Sequence, residues 1–306
     1  MIRFLTLRLL LTAASLWLIL TMVFFLIHLV PGDPVEQMLG EGARAEDLAE
    51  LRGALGLDKP VAAQYADYLG GVARADFGQS FRFQRPVLSV VLERYPATLQ
   101  LALATLLVSM LIGIPAGAWA AHRRGRAADR SIGFLTLLGL SLPNFALGPV
   151  LILIFSIQLG WLPVSGREGP QYLILPAITM GAALAAILTR MVRTSMMEEL
   201  SADYVRTARA KGLPDSVVLF RHAFPNALIP VVTIIGLQLG TLLAGAIVTE
   251  SIFAWPGVGR LTVQAIQARD YPLLQGCILI ISFSYVLVNL LTDVVYALVD
   301  PRVRLQ

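Results

Sequence analysis

The sequence predicts an all-helical integral membrane protein with six transmembrane helices. Of its 306 residues, 57% are apolar and only 14% are charged, whereas soluble domains average about 25% charged residues. Six long stretches carry no charge at all, and the basic residues collect in alternate connections between them. Because a bilayer core about 30 Å thick takes about 20 helical residues to cross, these stretches are the expected spans.

Each stretch is long enough, or nearly so, to cross a bilayer as a helix. The six are Leu9–Val30, Thr98–Ala121, Ser131–Leu159, Tyr172–Thr189, Ala223–Thr249 and Tyr271–Thr292, the last of which can extend to Val299. The fourth is short, but Arg190 and Arg193 at its end can reach the membrane surface with their long side chains. The first exceeds the apolar region of a signal peptide, about 7–15 residues, so we interpret it as a retained helix.

The basic residues predict the orientation. They collect at Arg3 and Arg8, at Arg123, Arg124, Arg126 and Arg130, at Arg190, Arg193, Arg206, Arg209, Lys211 and Arg221, and at Arg302 and Arg304. The alternate short connections carry Arg167, Arg260 and Arg269. Since short cytoplasmic loops are enriched in Lys and Arg, both termini are expected in the cytoplasm. The connections 31–96, 160–171 and 250–270 then face outward.

The 31–96 segment is the largest part predicted outside the membrane. Its pattern predicts one helix over Arg44–Leu57 and another over Ala62–Val72. At this size it could form a small cap but hardly an independent catalytic domain. We therefore expect a single membrane domain over residues 1–306.

The 190–227 connection carries the most informative pattern. Tyr204–Lys211 is rich in helix formers, and Ser201 or Asp203 is a fitting N-cap. Gly212 suits the position after the helix, and Pro214 can open a second short helix. The sequence thus predicts a short cytoplasmic helix between the fourth and fifth spans, with a basic exposed face and a small opposite face at Ala208 and Ala210.

This connection resembles the cytoplasmic loop of permease subunits of ATP-binding-cassette importers. That loop carries the EAA motif: Glu-Ala-Ala, three residues, Gly, and about a dozen residues later Leu-Pro. Here Arg206-Thr207-Ala208 stand in place of Glu-Ala-Ala, Gly212 is retained, and Phe224-Pro225 replace Leu-Pro. The stretch 203–212 is similar to the variant used by the dipeptide, oligopeptide and nickel branch.

Further motifs of that branch follow in order along nearly the whole chain. They are His28–Pro34, Leu55–Pro60, Asp76–Ser80, Arg221–Pro230, Glu250–Gly259, Arg269–Pro272 and Asp300–Arg302. Each is weak alone, whereas their shared order is specific. The long segment after the first span resembles the first of the two permeases that such systems usually encode.

The resemblance implies a location, partners and residue roles. It implies a bacterial inner-membrane protein that works with a second permease, two cytoplasmic ATPase subunits and an extracytoplasmic substrate-binding protein; the residues alone leave a homodimer open. The implied ATPase-coupling residues are Asp203, Tyr204, Val205, Arg206, Thr207, Ala208, Arg209, Ala210, Lys211, Gly212 and Pro225. The implied periplasmic loop residues are Glu250, Phe253, Trp255, Pro256, Gly257 and Gly259.

The chain is not expected to hydrolyse ATP. A phosphate-binding Walker A loop needs GxxxxGK followed by Ser or Thr. Lys59 and Lys211 are the only lysines, and neither has Gly before it or Ser or Thr after it. ATP and magnesium would therefore bind partner subunits. No catalytic residue is recognised, and the three histidines are too scattered for a metal site. Nothing indicates nucleic-acid binding.

Two other classes stay open on the residues alone. An ion-coupled secondary transporter would be expected to carry ionisable groups at mid-bilayer and an internal repeat. Asp293 lies near one end of its span, and no repeat is evident. An intramembrane enzyme would need a nucleophile with its base, or two acids, at membrane depth. Neither arrangement is recognisable.

The prolines of the third span admit two interpretations. Ser141 and Asn144 flank Leu142-Pro143 and could line a translocation path. The same break could equally be a kink in a packed helix. These residues do not identify the substrate. Within the resembled branch, dipeptides or oligopeptides are the first expectation, and nickel chelates, glutathione or opines are the alternatives.

Overall fold

The computed structural model of the chain describes residues 2–29, 35, 44–54 and 57–299. These residues are predominantly helical, and the one strand-like feature among them is an isolated bridge between Gln79 and Pro86. The all-helical prediction is confirmed. Most of the 28–34 motif and the whole 300–302 motif lie outside the described residues.

The helices follow one another with short connections. In chain order they are α1 (Ile2–Leu29), α2 (Ala45–Ala54), α3 (Val61–Ala73), α4 (Val87–His122), α5 (Ala127–Ser141), α6 (Asn144–Leu151), α7 (Gln171–Leu200), α8 (Asp203–Ala210), α9 (Asp215–Val217), α10 (Phe224–Ala227), α11 (Ile229–Gly245), α12 (Ile247–Ile252), α13 (Val258–Gln267) and α14 (Tyr271–Val299). Two π-helical segments, Ile152–Gln158 and Val218–Ala223, continue α6 and α9. The helix predicted at Ala62–Val72 is confirmed as α3.

Three described helices are long and apolar enough to cross a membrane: α4, α7 and α14. Two bent helix pairs bring the number to five if each pair is one span. One pair is Ala127–Ser141 with Asn144–Gln158, bent by 105°, and the other is Asp215–Ala227 with Ile229–Leu243, bent by 46°. The apolar stretch Leu10–Phe25 of α1 is shorter. The protein is thus a multi-span helical membrane protein, and the number six stays a prediction.

Helix α4 begins well before the predicted span. The sequence placed residues 87–96 in the outer segment because Glu93 and Arg94 interrupt the apolar pattern there. In the structure these residues are helical and continuous with the span. Val87, Val90 and Val91 are buried in an apolar cluster, while Glu93 is exposed and ion-paired with Arg85. Burial of one helix face, which a search for uncharged stretches does not see, extends the helix outward.

The chain forms two compact units. The small unit comprises Ile2–Thr98 and Pro256–Val286, and the large unit comprises Leu99–Trp255 and the chain from Leu287. The core of the small unit contains the three valines of α4 with Leu261, Leu273 and Cys277 among others.

Asp270 organises one end of the small unit. Its carboxylate, 1% exposed, accepts hydrogen bonds from the Ser80 hydroxyl at 2.5 Å and from the backbone N–H of Arg82 at 3.0 Å and of Leu273 at 3.2 Å. A buried carboxylate is stable only with such donors. The bonds tie the turn before α4 to the start of α14.

Helix α7 forms the centre of the large unit. It buries a run of small and apolar residues from Leu175 to Met196. The Ser109 hydroxyl of α4 donates to the Gly181 carbonyl of α7 at 3.1 Å. Close backbone approach and a short polar bond are the usual means by which helices associate in a bilayer.

Candidate functional site

The predicted coupling helix is present as α8, directly after α7. Helix α7 continues to Leu200, so residues 190–200 of the predicted 190–227 loop are helical. The N-cap of α8 is Ala202, not Ser201 or Asp203. The Ser201 hydroxyl instead donates to the carbonyls of Met197 and Glu198 at the end of α7. A serine that satisfies the preceding helix has no side-chain oxygen aimed at the next one.

The end of α8 follows the prediction. Gly212 has a φ of +78°, in the left-handed region that glycine adopts without steric cost. Pro214 is extended and precedes α9 as its N-cap. Residues 203–227 therefore form a short helical hairpin, with α8 as one arm and the continuous stretch Asp215–Ala227 as the other.

The inner face of α8 packs against the second arm. Val205 is fully buried and Ala208 is 7% exposed. These two positions are three residues apart and lie on one helix face. Ala210, expected on that face, is exposed, because two residues of helix rotate the side chain about 200° away from Ala208.

Tyr204 links both arms to the end of α7. Its hydroxyl donates to the Glu199 carboxylate and accepts a hydrogen bond from the Asn226 side-chain amide at 3.1 Å. Partial burial, together with the bond to Glu199, raises the pKa of Tyr204 above its ordinary value. The phenol therefore stays neutral and keeps its proton for Glu199. The hairpin is held to the base of a spanning helix by side chains as well as by the chain itself.

The outer face of α8 is basic and open to solvent. The Arg206 side chain is 77% exposed and meets Asp203 at 3.4 Å, an exposed pair of little energetic weight. Arg209 meets Asp215 at 3.6 Å, and Thr207 and Lys211 are exposed. The predicted basic exposed face is present.

An apolar groove adjoins this basic face. It is lined by Ser216, Val217, Phe220, Arg221 and Pro225. The Phe220 ring is 61% exposed and lies 6.3 Å from the Phe224 ring, measured between centroids. We call the exposed face of α8 together with this groove the coupling surface. An exposed aromatic ring beside exposed charged side chains is typical of a protein-binding surface.

The implied periplasmic loop residues are helical or buried. Glu250 lies in α12, Gly257 is the N-cap of α13, and Gly259 lies within α13. Glu250 and Trp255 are 0% exposed and Phe253 is 2% exposed. The expected loop at 250–270 is thus mostly two short helices joined by a turn.

The large unit shows why the aromatic residues are buried. The Phe253 carbonyl accepts a hydrogen bond from the Gly166 N–H at 3.3 Å, and the Arg167 guanidinium lies 5.8 Å from the Trp255 ring centroid. The tight turn depends on Ala254, with a φ of +49°, and not on Gly257, whose backbone is extended. In this conformation Phe253 and Trp255 support the turn and offer no side-chain surface to a partner.

Ser141 and Asn144 lie on either side of the 105° bend between α5 and α6. Ser141 is exposed and Asn144 is half-buried. Pro143 is extended and is the N-cap of α6, which explains why the chain turns there. A bend this sharp is a broken span or a re-entrant segment, and the translocation-path role stays a prediction.

An ion pair that was not predicted from the sequence joins α5 to α7. Arg193 donates to both oxygens of Asp129 at 2.6 and 2.9 Å, and the Gly125 N–H donates to the same carboxylate at 2.9 Å. Asp129 is 8% exposed. We expected Arg193 to reach for the membrane surface, but it is paired. The sequence did carry a signal for this pair. Asp129 lies two residues before one apolar stretch, and Arg193 lies shortly after another apolar stretch.

The remaining acid of interest, Asp293, is half-buried in α14, six residues before the end of that helix at Val299. This agrees with its expected place toward one end of the span. Among the described residues, no three His, Cys, Asp or Glu side chains are placed to hold a metal ion.

Long apolar helices, bent helix pairs and a solvent-facing basic hairpin are the features of a multi-span membrane protein. The family described as "Binding-protein-dependent transport system inner membrane component" matches residues 113–305, and its N-terminal counterpart matches residues 1–102. The chain belongs to this family. It is a permease subunit of an ABC importer and a multi-pass protein of the bacterial inner membrane, so the resemblance read from the motifs is confirmed.

Two relatives are similar over their whole length. The glutathione transport system permease protein GsiC of Escherichia coli (strain K12) is 42% identical over 304 residues, 99% of each chain. The protein of the same name from Salmonella choleraesuis (strain SC-B67) is 43% identical over the same length and coverage.

Solved structures of the MetNI methionine ABC transporter, in inward-facing conformations, share the fold. The native CY5 crystal form has a TM-score of 0.59 and 18% identity, covering 70% of this chain and 97% of that chain. The selenomethionine-soaked form has a TM-score of 0.58 and 17% identity, covering 69% and 96%. At this identity the likeness concerns the fold alone.

Proposed function

We propose that this chain is one of two permease subunits of an ATP-driven importer and that the coupling surface docks on a cytoplasmic ATPase subunit. The observation that carries the proposal is the hairpin at 203–227. Val205 packs inside it, Tyr204 bonds it to Glu199 at the end of α7, and Arg206 and Phe220 remain open to a partner. A hairpin bonded to a helix on one side and open to solvent on the other can transmit movement from a bound protein to that helix.

The proposed topology has six spans with both termini in the cytoplasm. Four of the spans are the helices α1, α4, α7 and α14. The other two are the two bent helix pairs. The whole chain then forms a single membrane domain, with the 31–96 segment outside, and the arginines at 123–130 and at 206–221 lie in the cytoplasm.

The proposed mechanism is alternating access. Closure of two ATPase subunits on ATP and magnesium, both bound by the partners, would draw the paired hairpins together and turn the spans toward the outward-open state. Hydrolysis would reset the system. Only contacts that differ between the two states can drive such a shift, so the coupling surface is proposed to be held more tightly in one of them.

On the outer side, a binding protein is proposed to deliver substrate near the 31–96 and 250–270 regions. Glu250, Phe253, Trp255, Pro256, Gly257 and Gly259 would then act by holding the 250–270 turn in shape. Their burial supports this role over direct contact. Ser141 and Asn144 are proposed, at the bend of the third span, as residues of the path.

The proposed substrate is a short peptide, and glutathione is the first candidate to test. Full-length relatives at 42% and 43% identity are named glutathione transport permeases. Glutathione is itself a small peptide, so it falls within the di- and oligopeptide class expected from the motifs. Nickel chelates and opines are the alternatives within the same branch.

The test is affinity purification of the tagged chain in mild detergent, followed by ATPase and uptake assays. Recovery of a second permease and P-loop ATPases, with ATPase activity stimulated by a binding protein, is expected. Competition of labelled glutathione uptake by dipeptides or by a nickel chelate would then identify the substrate.

Recovery of a stable chain alone, without ATPase activity, would contradict the proposal. That result would favour an ion-coupled secondary transporter, and Asp293 would then be the first residue to replace.

A further inference from the structure

A groove of about 370 Å³ lies between α5 and α7 in the large unit, and none of its lining residues belongs to the coupling surface. One end is charged and the other is apolar. The charged end is lined by Asp129, Arg130, Arg190 and Arg193. The apolar end is lined by Ile132, Gly133 and Leu137, and Thr136 and Thr189 complete the groove. The two ends differ because each helix joins a charged stretch of sequence to an uncharged one at this place.

The charged end carries an excess of positive charge. Arg193 is neutralised by Asp129 through two hydrogen bonds. Arg130 and Arg190 are exposed, and neither makes an ion pair within the described part of the chain. Arg130 donates to the Gly125 carbonyl at 3.3 Å. Two guanidinium groups are therefore free to hold an anion, and a guanidinium suits a phosphate geometrically.

The apolar end offers room for a hydrocarbon chain. Leu137 is 58% exposed. A Cβ added at Gly133 would meet nothing within 4 Å, so the helix surface is open there. A soluble phosphate would fill the charged end and leave this apolar wall uncovered. A molecule with an anionic head and an acyl tail covers both ends.

We propose that this groove binds an anionic phospholipid, with its phosphate between Arg130 and Arg190 and an acyl chain along Gly133 and Leu137. Basic pockets between spanning helices on the cytoplasmic side are known to take anionic headgroups. The site lies where the charged connections meet the apolar spans, at the depth of a headgroup. Bound there, the lipid bridges the start of α5 and the end of α7, next to the Asp129–Arg193 ion pair.

The experiment is a lipid titration of the full chain in mild detergent, read by native mass spectrometry. Wild type is expected to bind phosphatidylglycerol at least about fivefold more tightly than phosphatidylcholine. Arg130→Gln with Arg190→Gln is expected to remove that preference. The matched control, Arg123→Gln with Arg126→Gln, removes the same amount of charge at two positions that do not line the groove and is expected to retain that preference.

A second pair of variants tests the apolar end at constant charge. Gly133→Leu fills the open space and is expected to weaken phosphatidylglycerol binding by about fivefold or more, since the acyl chain loses its place. Gly133→Ala leaves room and is expected to bind as wild type. Both substitutions favour the helix over glycine, so unfolding is not expected. An unchanged melting temperature of Gly133→Leu separates a loss of binding from a loss of stability.

Three outcomes would overturn the proposal. One is equal binding of the two lipids by wild type, and another is unchanged binding by the arginine pair variant. The third is complete displacement of phosphatidylglycerol by excess inorganic phosphate, which would mark a simple anion site. Repeating the titration on the assembled transporter is expected to give the same preference; its loss there would show that a protein subunit covers the groove.

Discussion

At the scale of single residues, the Asp129–Arg193 ion pair is a well-defined contact of the large unit. Asp129 sits in the first turn of α5, where the helix N-terminus favours a negative charge. The carboxylate also accepts the Gly125 N–H. Arg193 approaches from α7 and is 34% exposed in its side chain. Two helices are thereby joined at their charged ends.

Asp129→Asn is expected to destabilise the protein by about 1–3 kcal/mol, because a partly buried guanidinium loses its counter-charge. The measurement is the apparent melting temperature in detergent. Asp67→Asn, which breaks only the exposed Lys59 pair, serves as the control and should leave that temperature unchanged. If the Asp129→Asn, Arg193→Gln double variant loses as much as the two single losses added, the pair has no coupling and the argument fails.

Arg206 is the residue on which the coupling role depends most directly. Its side chain is 77% exposed and contributes little to the fold. Arg206→Glu is expected to lower uptake by about tenfold or more, since reversing a charge in a docking surface repels the partner. Membrane levels should be unchanged in immunoblots. The control is Arg126→Glu, which makes the same charge reversal in another connection. Normal uptake by Arg206→Glu would contradict docking at this surface.

At the scale of elements, the contact between α4 and α7 depends on two glycines one helical turn apart. A Cβ at Gly113 would lie 2.8 Å from the Ala185 carbonyl oxygen, and one at Gly117 would lie 2.5 Å from that of Thr189. Both clashes are with backbone, which cannot move aside cheaply. The spacing Gly-x-x-x-Gly is the known means of close helix approach in membranes.

Gly117→Ala is therefore expected to destabilise the large unit by about 1–3 kcal/mol, the usual effect of overpacking. Gly133→Ala, where the added methyl group meets nothing, should instead be neutral or stabilising by up to about 1 kcal/mol through helix propensity. Thermal unfolding of the two variants side by side checks both signs. Equal melting temperatures of the two variants would mean that close packing of α4 on α7 does not contribute to stability.

The coupling hairpin shows how far local sequence patterns reach at this scale. The helix, the left-handed glycine at 212 and the proline start of the next arm were all foreseeable from residue types. The N-cap was not, because Ser201 bonds back to α7. The prediction for Ala210 was wrong although helix geometry alone turns it about 200° from Ala208. Which face of α8 is buried, by contrast, depends on what it packs against and is a tertiary fact.

At the scale of the whole molecule, the open question is topology. Cys277 is the only cysteine and is fully buried. It can be replaced by serine to give a background for single cysteines at exposed positions. Val61, 47% exposed on α3, and Lys211, exposed after α8, lie on opposite sides in the proposed topology.

With an impermeant maleimide applied to intact spheroplasts, Val61→Cys is expected to be labelled. Lys211→Cys should react only after the membrane is opened, because its connection lies in the cytoplasm under the positive-inside rule. Labelling of both positions, or of Lys211→Cys alone, in closed spheroplasts would reject the six-span arrangement with internal termini.

The sequence by itself determined that this protein is a helical membrane permease of a binding-protein-dependent importer. Composition, uncharged stretches and the order of motifs are local properties that do not need coordinates. Tertiary structure alone decided which residues lie inside. It placed Phe253 and Trp255 in the interior, paired Arg193 with Asp129, and extended α4 back to Val87. The physical reason is the same in each case: burial and pairing depend on what another segment brings to the same place.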